Sequence, residues 1–188
     1  MENRLCAAQN TFTGAITGYL YDAGGTRVAK GSLSNFNCSS GPGFAPTANY
    51  LLGSNNRPIT ELTVQPTADV WEHSNVYVLG NLLATYDGIG LHFQLSDWLG
   101  TRRVQTNSVG AIEETCANLP FGDGMTCQQT SLPTTEDATE NHFTGQERDH
   151  ETTNDHFEAR YYSSVTGRFA SPDPSGLYFD LALAKRIP

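Results

Sequence analysis

The chain has 188 residues, with eleven Lys and Arg against twenty Asp and Glu, a formal net charge of −9. That length allows one domain with a sizeable core, and the acidic balance excludes the basic footprint that nucleic acid or an anionic membrane surface requires. Threonine is the commonest residue and glycine follows it, which suits strands and turns and excludes coiled coils and helical bundles.

The start, Met1-Glu2-Asn3-Arg4, has no apolar stretch behind it, so no signal peptide is expected and the chain as translated reads as cytoplasmic. No run reaches membrane-spanning length, and membrane insertion is not expected. Period-two patterns then dominate. Ile16 to Tyr21, Ile59 to Val64, Val76 to Leu79, Leu91 to Leu95 and Phe157 to Tyr162 each read as a half-buried strand. Turn residues such as Gly53-Ser54-Asn55-Asn56-Arg57-Pro58 punctuate them. Two polar stretches, Ser34 to Thr47 and Gln128 to Asn141, read as long loops. Among the four cysteines no pair forms CxxC, so no structural zinc site is expected. Cys116 and Cys127 flank an apparent turn and would face each other across a hairpin. Two free thiols are the plainer expectation, with the disulfide left open.

A repeat runs through this pattern. Asp22 to Gly25, Asp87 to Gly90, Asp97 to Gly100 and Asn107 to Gly110 share one form: Asp or Asn, two free positions, then Gly. The side-chain oxygen caps backbone N–H groups at the start of a tight turn, and glycine takes a positive φ at its end. The last three copies follow at ten-residue steps, which describes an antiparallel meander of short hairpins.

Tyr21-Asp22 and Tyr86-Asp87, each followed by Gly and a variable strand, resemble the YD repeat of RHS proteins. Downstream, His142-Phe143-Thr144-Gly145-Gln146-Glu147-Arg148-Asp149, then Ala159-Arg160-Tyr161-Tyr162, Gly167-Arg168-Phe169 and Ser171-Pro172-Asp173-Pro174 resemble the RHS repeat-associated core in order and spacing. The resemblance implies an all-β fold, an antiparallel YD-repeat strip from a hollow shell that encloses a C-terminal toxin. It divides the chain into an unmatched segment 1–15, a hairpin array 16–127, a polar acidic loop 128–141, a core segment 142–177 and a tail 178–188 that departs from the family. Its partners would be the rest of the shell and the toxin, with full-length relatives secreted or on the cell surface. A strip without neighbours also leaves open edges through which it would self-associate.

The family chemistry is self-cleavage by two aspartates, each in a DPxG-like context. Asp173-Pro174-Ser175-Gly176 supplies the first; the second is absent, and Asp180 lacks the following Pro and Gly. One carboxylate cannot be both acid and base, so Asp173 is expected to be a turn residue and the chain not to be an enzyme. Loss of the resemblance near Tyr178-Phe179 suggests a frame change in a larger gene.

His150, Glu151 and His156 beside Asp149 and Asp155 invite a metal reading, but the histidines are six apart rather than four. A solvated, charged hairpin is expected, with Glu158 and Arg160 on one face of a strand. His73 and His92 read as packing or surface residues, and no cofactor is expected. Two other functions stand beside the inert shell segment: a self-cleaving aspartyl protease segment, and a carbohydrate- or surface-binding β module.

Overall fold

The computed structural model describes residues 4–36, 43–130 and 138–172. They form two antiparallel sheets. The first is an eleven-stranded meander in strict chain order. Its strands are β1 (Ala7–Gln9), β2 (Ile16–Tyr21), β3 (Arg27–Leu33), β4 (Phe44–Leu52), β5 (Pro58–Thr63), β6 (Val70–Val78), β7 (Asn81–Asp87), β8 (Leu91–Ser96), β9 (Arg102–Asn107), β10 (Ile112–Ala117) and β11 (Thr126–Gln129). The second has four strands: β12 (Glu147–Arg148), β13 (Asp155–Phe157), β14 (Arg160–Ser163) and β15 (Arg168–Phe169). The fold is all-β, as the alternating pattern predicts.

The four repeated turns are built alike. Asp22 Oδ1 accepts the Thr26 N–H at 2.8 Å. Asp87 Oδ1 accepts from Ile89 and Gly90, Asp97 Oδ1 from Leu99 and Thr101, and Asn107 Oδ1 from Val109 and Ala111. Gly25, Gly100 and Gly110 close their turns at φ near +80° and Gly90 at +159°.

Four local expectations change. The stretch Ser34 to Thr47 is not loop throughout, because β4 begins at Phe44. The stretch Gln128 to Asn141 begins inside β11 and ends with Ala138 and Thr139 buried. Phe157 to Tyr162 is not one strand: Glu158 takes φ +46° and turns the chain between β13 and β14. That removes Glu158 from the face of Arg160, whose guanidinium instead lies 3.7 Å from the centre of the Phe169 ring. Finally, Cys116 and Cys127 are bonded rather than free. They occupy directly opposed positions of β10 and β11, close enough in an antiparallel pair for their sulfurs to meet. Cys6 is also disulfide-bonded.

The long sheet distributes its side chains unusually. Register places Tyr50, Glu61, His73 and Asp87 across four neighbouring strands on one face, followed by Asn75, Thr85, His92 and Asn107 and then by Gln94 and Gln105. This polar face is the covered one: Thr85, His92, Gln94 and Gln105 are all buried. The opposite face carries Leu51, Trp71, Val76, Tyr86, Leu95 and Ile112, all exposed. The core therefore lies between the polar face and the C-terminal segment that covers it.

Candidate functional site

Arg27 is the centre of the covered face. A bulge at Val28 shifts the β2–β3 register between Leu20 and Tyr21, so that Tyr21 opposes Arg27 while Tyr19 opposes Lys30. Three residues apart in a regular strand, Arg27 and Lys30 would point to opposite faces; the extra residue brings both to the same one. Arg27 is 2% exposed. Its Nη1 donates to both Asp149 oxygens at 2.8 Å and to the Tyr161 hydroxyl at 3.0 Å, and its Nη2 pairs with Glu147 at 2.5 Å. The guanidinium lies between the rings of Tyr19 and Tyr50, 5.5 and 5.2 Å from their centres. The Tyr19 hydroxyl donates to Glu151 and the Tyr50 hydroxyl to Glu147. Every one of these anionic partners belongs to the C-terminal segment, so Arg27 docks the small sheet on the long one.

Around this pair the electrostatics divide the carboxylates. Burial opposes ionisation of Glu147, but Arg27 and Lys30 overcome it and hold the group down at about 2. Burial pushes Asp149 up to about 6 against the pull of Arg27, which it shares with Glu147. Burial and Glu147 push Glu61 up to about 7. Burial and the nearby Arg27 lower His156 to about 3. The expectation of a solvated hairpin is therefore overturned, since Asp149 and Asp155 are both 0% exposed. Asp155 is held by Arg148, whose Nε and Nη2 each donate at 2.9 Å.

A second buried network lies along the same face. His92 Nδ1 meets Glu113 at 2.7 Å and Nε2 meets Asp87 at 3.2 Å. Burial alone would lower His92; the hydrogen bond to Glu113 and the charge of Asp87 outweigh it and raise the group. Arg102, 1% exposed, pairs with Glu114 at 3.0 Å and donates to the Thr139 carbonyl at 3.3 Å.

The carboxylates of Glu140, Glu147 and Asp149 come within 4.8 Å of one another, a grouping that a cation favours. Arg27 and Lys30 already supply that positive charge, Lys30 reaching Glu140 at 3.2 Å. Glu114 with Cys116 and Cys127 forms the other such group, but its sulfurs are joined as a disulfide and offer no thiolate.

These pKa shifts have a sign that melting curves read. A raised folded-state pKa, as in Glu61 and His92, contributes stability that is present below the unfolded pKa and lost as pH rises through the folded one. Glu147, lowered, contributes stability that is present above the unfolded value and lost as pH falls towards 2. Thermal melts should therefore peak near about pH 5 and decline towards about pH 8. Glu61→Gln should flatten that upper decline; an unchanged slope would mean that Glu61 is not titrating there.

Of the residues singled out in the sequence, Arg148, Asp149, Tyr161 and Tyr162 meet in this interface. Tyr161 packs on Tyr19 and His156, and Tyr162 on Phe143, Phe157 and Phe169. Gly145 takes φ +69° opposite Gly100, and its carbonyl accepts from Asn141. Gly167, at φ +63°, precedes Arg168 and Phe169 of β15. Asp173, Pro174 and Gly176 lie outside the described residues, as does Asp180. Sequence reading did not single out Arg27, Lys30, Glu61 or Glu113. No local signal marks them, because their partners lie on distant strands.

No family model matches the chain, and no curated protein matches it. Solved structures do. The TcdB2-TccC3 crystal structure aligns with a TM-score of 0.63 at 20% identity, over 90% of this chain and 9% of that one. The TcdB2-TccC3-Cdc42 crystal structure aligns at 0.59 and 19% identity, over 89% and 9%. A Photorhabdus luminescens Tc holotoxin pore aligns at 0.50 and 14% identity, over 85% and 9%. The fold of this chain is thus that of a small part of much longer toxin-complex chains.

Proposed function

We propose that the chain is a structural, non-catalytic segment of an RHS-type shell that encloses a toxin, its C-terminal segment lining the inner face. The observation that carries this is the inverted strip. The polar face is closed by the chain's own C-terminal segment through the buried Arg27 network, while the apolar face stays open. Charges held in ion pairs position and lock; they are not poised for turnover. The likeness in fold to TcdB2-TccC3 supports the same reading. Its partners would be the neighbouring strands of the shell and the enclosed toxin chain.

The test is to translate the DNA flanking the reading frame and co-express the flanking polypeptides with the chain. Co-elution, with the downstream polypeptide shielded from protease, is expected. Separate elution of all three would overturn the shell reading. Self-processing is tested on the full chain alone. Its intact mass should stay constant over days near pH 5 and pH 7, whereas a product shortened near Asp173 would make it a protease segment.

A further inference from the structure

The loop between Cys116 and Cys127 joins more than β10 and β11. Among the described residues, strand β11 is the edge of the long sheet and pairs with β10 through four residue pairs. Within the loop Phe121 and Gly122 both take positive φ, 65° and 81°. Their carbonyls are gripped by the small sheet: the Tyr162 hydroxyl donates to Phe121 O at 3.0 Å and Arg148 Nη2 to Gly122 O at 3.3 Å. The Phe143 ring lies against Gly122, where an added Cβ would stand 2.5 Å from it, and stacks on Tyr162. Arg102 Nη2 reaches the Cys127 sulfur at 3.5 Å, while its Nη1 holds Thr139 of the covering segment.

We propose that the Cys116–Cys127 disulfide is a redox clasp that holds the four-stranded sheet on the long one, and that a dithiol reductant opens it. A reductant thiolate attacks Cys127, the less buried sulfur; the S–S bond breaks and its electron pair leaves on Cys116. The reductant's second thiol then displaces Cys127, leaving as a cyclic disulfide. The chain gains two electrons, and each new thiolate takes a proton. Until that proton arrives, Arg102 stands where it pairs with the Cys127 thiolate, in competition with Glu114. Reduction also removes the covalent closure of the loop, whose ends then depend on the four residue pairs of β10 and β11.

The test uses the full chain carrying Cys6→Ser and Cys38→Ser, so that Cys116 and Cys127 are its one remaining pair. Amide hydrogen exchange is compared before and after dithiothreitol. Exchange over 143–148 and 155–163 should accelerate about tenfold or more while β2 to β7 keep their protection. Unchanged protection in the small sheet, or simultaneous loss in both sheets, would overturn the clasp. If that chain does not fold, Tyr162→Phe in the otherwise native chain serves instead. Oxidised, it should exchange faster over 155–163 than native, and reduction should add less to it; identical behaviour of the two chains overturns the proposal.

Discussion

Arg27→Met should remove about 3 to 5 kcal/mol of stability, the cost of leaving a buried charge without its partner. The substitution keeps most of the side-chain volume between Tyr19 and Tyr50, so packing changes little. What is lost is the positive charge that answers Asp149, 0% exposed, and Glu147. Denaturant unfolding measures the loss, and the small sheet should exchange its amides before the long sheet does. Arg27→Lys should rescue only part of it, because one ammonium cannot reproduce donation to Asp149 and Tyr161 from Nη1 together with the Glu147 pair from Nη2. Full stability in the Met variant would mean that the docking is apolar in origin.

Gly31→Ala should cost about 2 to 3 kcal/mol, through overpacking of a site with no room to relax. Gly31 opposes Pro46 beside an irregularity in the β3–β4 register, and an added Cβ would fall on the Ala45 carbonyl and the Pro46 Cα. Both are backbone atoms of an interior strand, so β4 itself must move. Its register partner supplies the control. At Gly18 the nearest atoms that an added Cβ meets belong to the Leu33 and Phe44 side chains, which can rotate aside, and not to backbone. Gly18→Ala should therefore cost under about 1 kcal/mol. Equal losses at the two positions would show that β-propensity, not the close approach of β4, sets the effect.

The repeated turns were legible because their cause is local. Asp97 caps residues two and four positions ahead, and Gly100 supplies the positive φ, all within five residues. The same locality explains why alternation found β2, β5 and β8, while it caught only the end of β6 and ran on into its turn at Leu79. It failed between Phe157 and Tyr162 because Glu158 makes a left-handed turn without glycine or asparagine to announce it. The Arg27 site was hidden for a different reason. Its placement depends on a bulge at Val28, and its partner Asp149 lies 122 residues away. Resemblance drew attention to Asp149 and Tyr161 but gave no hint of the cation that holds them. Polar residues facing inward also run against the usual expectation that the apolar side of a strand is the covered one.

The covered face of the long sheet is polar, unlike an ordinary apolar core. Its buried contacts are directional, so they fix where the C-terminal segment lies rather than merely burying area. The most direct test of that docking is a double-mutant cycle between Arg27→Met and Asp149→Asn in the full chain. A coupling of about 2 kcal/mol or more, with the double variant more stable than the sum of the single losses implies, is the predicted result. Strict additivity of the two losses would contradict the account, because it would mean that Arg27 and Asp149 do not hold the two sheets together.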